Sequence, residues 1–477
     1  MIKRTYRAHP LMMTGALKPL LFVLILPVIK GVLQYLTTGK MTGVLTFETV
    51  AAATVLVLSY LSYRAFSISV DGEKTVIRKG FFLQRVSVIK NGRISCVSVK
   101  KSIPDLLFGS VTYIVNTEAG ASGKPDFSFK LYQKDAREVL KALYGEENRA
   151  AIRFGTLKSA VFAAATSSAV SGLAVGVPII NNLGKILGVA LSGILLGGIS
   201  QASARFNKYF PPIVNVATAL IVLGYMMSFL IGFVRLLGFR LLVGDVNIEV
   251  RYGLVARRRT VFKKTAVNDV CIEQTPLMRA FGMCSVRAAV GGYGDKKGEK
   301  AIIVPAARRE AAKDTLEMIF PALCSLPASI CPERSKTVKR RFLLPARIYA
   351  LADIAATAAL SAAFPSVARF LILCGAAIMA ATVYYGNLCL KNYLAGGLCV
   401  SGNVSARGSS GFTVREMYCE KDRVGEIKIR RTPADRAFGT CKVKITVRSE
   451  SADSITVRNV GYAETLGKIE KTFNVSE

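Results

Sequence analysis

Histidine is almost missing from this chain: His9 is the only one among 477 residues, and tryptophan is absent. A zinc site would therefore have to be built from cysteine alone or with carboxylates. The ten cysteines (Cys96, Cys271, Cys284, Cys324, Cys331, Cys374, Cys389, Cys399, Cys419 and Cys441) include no Cys-x-x-Cys pair, so no metal and no cofactor is expected. Phosphate-loop chemistry is lacking too. "GASGKP" at 120–125 has neither the full spacing nor the closing Ser/Thr, and "GGYGDKKG" reads as a polar hairpin tip. No catalytic residue emerges, and the chain is expected not to be an enzyme.

Acidic residues are also scarce, 31 Asp and Glu against 64 Lys and Arg, leaving a formal charge of +33. Nucleic-acid binding is the bland account of such a surplus. It fails here because the charge is spread through segments next to apolar runs, without a nucleic-acid module. An anionic bilayer explains the charge more simply, at about 1 kcal/mol per Lys or Arg near its surface.

What the chain has is apolar sequence in long runs: 51% of residues are hydrophobic. A helix crosses a bilayer in about 20 residues, and runs near that length come in pairs. They lie at 19–36 and 47–63, 159–180 and 211–233, and 346–364 and 366–385. A further stretch, 183–200, reads as an interfacial or re-entrant helix, since a seventh crossing would put successive repeats on opposite sides. The first run begins too late and is too long for a signal peptide. Basic residues crowd one side: Lys3, Arg4 and Arg7, then Arg149, Arg153 and Lys158, then "RSKTVKRR" at 334–341. The positive-inside rule puts both termini in the cytoplasm of a multi-pass protein of the cell membrane. Three charges fall within or beside the runs, Lys30, Asp353 and Arg369, too few and scattered to argue for a transport path.

One phrase recurs. "QTPLMRAFGMCSV" at 274–286 returns as "RTPADRAFGTCKV" at 431–443, and more weakly as "KSIPDLLFGSVTY" at 101–113. Upstream of each stands a glycine with an apolar residue: Gly80-Phe81, Gly253-Leu254 and Gly411-Phe412. Downstream of each comes a stretch with helical apolar spacing. Repetition on this scale means repeated domains. Short β-branched runs broken at Asp71-Gly72 and Lys79-Gly80 predict hairpins, and a closing amphipathic helix needs a sheet face to bury its stripe.

"YRAHP" at 6–10, "RISCV" at 93–97, the Phe-Gly phrase and "NTEAG" at 116–120 resemble a YdbT-type bacterial membrane protein with pleckstrin-homology-like (PH-like) domains. The resemblance implies a fold and a membrane location, with a suggested link to envelope stress, and no known reaction. The expected fold is a polytopic α-helical membrane protein, six spans in three pairs, carrying three β-rich PH-like domains. Each domain is a small antiparallel sandwich or barrel closed by a C-terminal helix. The expected bounds are 1–65 (N-terminal segment and first pair), 66–146 (first domain), 147–236 (second pair and interfacial helix) and 237–325 (second domain). Then come 326–388 (basic linker and third pair) and 389–477 (third domain).

Phe108-Gly109, Phe281-Gly282 and Phe438-Gly439 read as a fold motif: the Phe is expected to pack under the sheet, and the Gly to let the chain turn into the next strand. Ser102, Thr275 and Thr432 stand six residues before each Phe, where a hydroxyl can bond the turn. The candidate contact for lipid or partner is the basic stretch Arg257, Arg258, Arg259, Lys263 and Lys264, weighed against a merely solvated strand. The function expected is a non-catalytic membrane scaffold. Its partners would be an anionic lipid bilayer and another membrane protein of related PH-like type, with self-association left open. The alternative is a transporter or lipid-handling protein using the helix bundle.

Overall fold

A computed structural model describes residues 4–13, 44–118, 125–145, 149–176, 212–254, 256–294, 298–324, 336–410, 412–448 and 453–473, with a few isolated residues between. A common succession of elements runs three times along the chain. The first set comprises β1 (Arg4–Arg7), α1 (Val44–Arg64), β2 (Ser67–Val70), β3 (Lys74–Lys79), β4 (Arg85–Lys90), β5 (Ile94–Lys101), α2 (Ile103–Phe108), β6 (Ser110–Thr117), β7 (Phe127–Tyr132) and α3 (Gln133–Tyr144).

The second set is β8 (Ala150–Arg153), α4 (Thr156–Thr166), α5 (Pro212–Leu236), β9 (Arg240–Val243), β10 (Asn247–Tyr252), β11 (Arg257–Lys263), β12 (Val267–Gln274), α6 (Pro276–Ala280), β13 (Met283–Val290), β14 (Ala301–Arg308) and α7 (Arg309–Ile319). The third opens with α8 (Lys336–Ala363) and α9 (Ala368–Ala395). It continues through β15 (Gly397–Ser401), β16 (Asn403–Ser410), β17 (Thr413–Glu420), β18 (Val424–Arg430), α10 (Pro433–Ala437), β19 (Thr440–Val447), β20 (Ser454–Gly461) and α11 (Tyr462–Phe473). A 3-10 turn precedes β5, β12 and β18, at Asn91–Arg93, Lys264–Ala266 and Lys421–Arg423.

The strands do not close into one barrel per set. They form open sheets in the orders β1-β2-β3-β4, β7-β6-β5-β11-β10-β9-β8, β14-β13-β12-β17-β16-β15 and β18-β19-β20. The expected self-contained barrel is thus corrected: β11 of the second set bonds to β5 of the first, and β17 of the third to β12 of the second. The physical reason is that a strand edge left over by a small sheet must be paired or covered, and here the next set along the chain covers it.

Two compact units result, and the second set contributes to both. One holds Met1–Ile152, Arg240–Ala266 and Val290–Glu299; the other holds Arg153–Phe239, Val267–Ala289 and Lys300–Glu477. In the first, the core gathers Phe66, Ile68, Ile77, Val97, Tyr113, Phe129, Leu131 and Val139. Val261 of β11 belongs to the same core. In the second unit, Cys271 of β12 sits among Leu398, Val404, Met417, Val443, Ile445 and Val457. Each core is therefore completed by a residue borrowed from the second set.

Among the described residues three helices are long and apolar enough to cross a membrane: Ala217–Leu236, Leu343–Ala363 and Pro365–Leu390. They match three of the six expected spans. The expected run at 159–180 is instead two helices, Thr156–Thr166 and Ala169–Gly176, bent by 99° at their break. There Ser228 Oγ accepts the Ser168 N–H at 3.1 Å. The run at 47–63 falls within α1. The runs at 19–36 and 183–200, and with the first Lys30, lie outside the described residues, apart from isolated positions in the second.

Helix α2 illustrates how sequence sets local structure. Pro104 is tolerated in its first turn, and Asp105 accepts from the Ser102 N–H (3.1 Å) and Oγ (2.5 Å), Ser110 Oγ (2.6 Å) and Lys130 Nζ (2.6 Å). Burial alone would raise this carboxyl, but hydrogen bonds from Lys130, Ser102 and Ser110 outweigh it and hold it well below the usual carboxylate range. Because the folded value is depressed, the stabilisation is present at neutral pH and fades as pH falls below about 4, the unfolded carboxylate value. Asp105→Asn should cost about 1–3 kcal/mol at pH 7 in thermal unfolding of the detergent-solubilised chain, with the gap to wild type narrowing in acid. An equal gap at both pH values would contradict this.

Candidate membrane-contact surface

Backbone geometry accounts for the Phe-Gly pairs. Each ends a short helix whose N-cap is the Ser or Thr six residues earlier: Thr275 Oγ1 accepts the Met278 N–H at 3.3 Å, and Thr432 Oγ1 the Asp435 N–H at 3.2 Å. Gly109, Gly282 and Gly439 all have positive φ (70°, 63° and 63°), the left-handed conformation that ends a helix and that glycine adopts without a Cβ penalty.

The phenylalanines do not pack under the sheet as expected. Phe108 is 62% exposed, Phe281 60% and Phe438 36%. The reason is the helix itself: with Asp105 or Met278 turned inward, the residue beside the left-handed glycine faces outward.

Other apolar side chains share these tips. In the first set Ile103, Leu106 and Leu107 of α2 are exposed, Leu107 by 78%, as are Phe81, Phe82 and Leu83 in the loop before β4. β4 and β5 flank one 3-10 turn, so the 81–83 loop and α2 lie at the same end, opposite that turn. Leu254 in the loop before β11, Leu277 on α6 and Phe412 in the loop before β17 are exposed as well.

In the second unit these tips meet the apolar helices. Helix α6 packs on α4, and the Phe412 ring lies 6.1 Å from that of Tyr385, edge to face. Tyr385 sits inside the apolar segment Pro365–Leu390. Arg287 stacks over the Phe162 ring of α4 at 5.2 Å.

The basic stretch 257–264 is dispersed by strand alternation. Arg257 is exposed on β11. Arg258 is buried, 3.6 Å from Glu299 and over the Tyr293 ring at 5.4 Å. Arg259 pairs with the buried Glu249 (Nε–Oε1 2.5 Å), which also binds Arg149 and Arg251. Burial would raise the Glu249 carboxyl, but hydrogen bonds from Arg259 and Arg251 hold it below its ordinary value. Lys263 Nζ donates to the carbonyls of Asn91 (3.0 Å) and Gly92 (2.8 Å). Lys264, half-buried, lies on the 3-10 turn. Three of the five side chains thus hold the first unit together, and Arg257 and Lys264 are left nearer to solvent.

A cluster that sequence reasoning missed is Asp269, Cys271 and Asp453, whose ligand atoms lie within 4.8 Å of one another. Its members are far apart in sequence, and no spacing signals it. A metal would find two carboxylates and a thiol, but Lys300 Nζ already bonds Asp453 and lies 3.5 Å from Asp269. Burial lifts the Asp269 carboxyl to about 6 despite the lysine, and burial also pushes the Cys271 thiol well above its ordinary value, favouring its protonated form. The donor set fits an ion pair better than a metal ion. Among the other thiols, burial lifts Cys96 and Cys419 to about 12, which leaves both inert.

The model of the bacterial PH domain family matches residues 19–147 and 183–320, more than half of the chain. No curated protein and no solved structure matches.

Lys300→Met would leave the buried Asp269 and the half-buried Asp453 without a counter-charge and should cost about 3–5 kcal/mol, read as a lower melting temperature. Adding Asp269→Asn and Asp453→Asn should recover part of the loss. A melting temperature unchanged by Lys300→Met would refute the ion-pair reading.

Proposed function

The chain belongs to the bacterial PH domain family, and from this we propose that it is a non-catalytic scaffold of the cell membrane. In this reading it has six spans in three pairs and presents three PH-like domains on the cytoplasmic face. The closer YdbT-type kinship and a role in envelope stress tolerance belong to the same proposal.

Strand pairing supports the hairpin topology. β1 and β2 pair side by side although 59 residues (8–66) separate them, and β9 pairs with β8 in the same sheet order. Each intervening segment must leave and return at one side, as an even number of crossings requires. The positive-inside bias makes that side cytoplasmic.

The observation that supports the functional reading is the Phe412–Tyr385 contact, which brings a tip loop of the third set against a segment long and apolar enough to cross a membrane. On this reading the exposed tips of the first set, Phe81, Phe82, Leu83 and Leu107, enter the headgroup and acyl boundary of a bilayer in their own right. Burying a Phe or Leu contributes about 1.5–3 kcal/mol, whereas a Lys or Arg near an anionic surface contributes about 1 kcal/mol. The apolar tips therefore outweigh Arg257 and Lys264 in holding the domains to the bilayer. The proteins that such a scaffold would gather are membrane proteins of related PH-like type.

The broken helix at Ser167–Ser168 favours a second reading, lipid handling or transport through the bundle, since discontinuous helices mark many transport sites. Ser228→Ala, removing the oxygen that satisfies Ser168 N–H, would then abolish substrate movement in liposomes. On the scaffold reading it leaves function intact.

The absence of tryptophan offers a direct test. Phe82→Trp makes a single-tryptophan chain, and in liposomes its fluorescence should be quenched by lipids brominated near the headgroup. Quenching no greater than for a tryptophan placed at exposed Glu73, near the β2–β3 turn, would count against tip insertion.

A further inference from the structure

Two strand-to-strand junctions join successive sets, and they are built alike. In the first, Val261 of β11 faces Val97 of β5; in the second, Tyr418 of β17 faces Val270 of β12. In both cases the residue three before one 3-10 turn lies opposite the residue six beyond the start of the preceding set's turn. The register is the same twice over.

Among the described residues, the pattern leaves one strand of each kind with a neighbour on one side only. β4, the first set's counterpart of β11 and β17, ends its sheet; β18, the third set's counterpart of β5 and β12, ends its own. Burial tells the joined strands from the unjoined. Five successive residues of β5 are buried and six of the eight in β12, whereas β18 has none and β4 has only Ile89. Val261 is fully buried in the core that it completes, yet its counterpart Val88 is 62% exposed and Val86 56%. On β18, Ile427 and Ile429 pack against the third set's core and stay partly exposed.

We propose that the chain assembles head to tail with copies of itself, β4 of one copy adding to β18 of the next in the register of the internal junctions. That register sets Val88 opposite Ile427 and Val86 opposite Ile429, so four apolar side chains meet on the face that Val261 uses within the chain. Arg85 then meets Arg430, a like-charge pair already present internally as Arg258 opposite Lys100. Lys90, the counterpart of Lys263, comes within reach of the carbonyls of the neighbour's 3-10 turn, as Lys263 reaches Asn91 and Gly92. The contact joins different patches on the two copies, so it builds rings or open rows rather than a two-fold dimer. This assembly rests on strand pairing alone and stands apart from the membrane role proposed above.

The test uses full-length chains carrying different tags, one Val88→Cys and the other Ile427→Cys, co-expressed and oxidised in membranes. Directly opposed strand residues have Cα atoms about 4.5–5.5 Å apart, within disulfide reach. A disulfide-linked pair carrying both tags should form in the mixture and be lost when either variant is expressed alone. One chain bearing both substitutions should give a ladder of higher species. A second variant guards against misfolding: Val88→Asp, on an exposed edge, should reduce the assembly to single chains in detergent with an unchanged melting temperature. No cross-link in the mixture, or a Val88→Cys link to some other protein instead, would overturn the proposal.

Discussion

Strand β11 lies along β5, and β17 along β12, so backbone hydrogen bonds run from each set of elements into the next. The rest of the described structure depends on this pairing. It brings Val261 into the first core and Cys271 into the core of the third set, and it explains why the second set is divided between two compact units. It also explains the buried ion pairs. Glu249, Glu273 and Glu416 sit on β10, β12 and β17 within the joined sheets, each met by arginines. A carboxylate in such a place needs its partners, because leaving a buried charge unpaired costs several kcal/mol.

The same pairing constrains what the apolar helices do. β1 and β8 precede their helical segments and lie in the sheets formed by the strands that follow them. The sheets thus hold the chain on both sides of the first two apolar stretches. Short capped helices and glycine-led loops then point apolar side chains outward at one end of each set, and in the second unit such an end touches α4 and α9. The family fold, the pairing of β1 with β2 across the first apolar stretch, and the apolar tips that touch α4 and α9 in the second unit are what support the proposed scaffold.

Much of this was legible in the sequence. The offset that aligns the Phe-Gly phrases also aligns β5 with β12, and the hydroxyl six residues earlier was visible as a turn-bonding group before it proved to be a helix cap. Local chemistry suffices for such features. Three things were not legible, for separate reasons. The partner of a strand edge is a long-range choice, so nothing in "RISCVSVKK" announces β11. An aromatic in a repeated phrase reads as core, whereas the exposure of Phe108 and Phe281 follows from the turn of a five- or six-residue helix. The run 257–264 looked like one basic patch, but alternation along β11 sends Arg257 and Arg258 to different surroundings and engages Arg259 with Glu249.

The central claim is that the sets are joined by continuous sheet. Amide hydrogen exchange on the detergent-solubilised chain tests it most directly, since protection reports the free energy of opening each hydrogen bond. The account predicts that β5 and β12 are protected as strongly as their inner neighbours β6 and β13. Fast exchange along one side of β5 or β12, as at a free sheet edge, would contradict it.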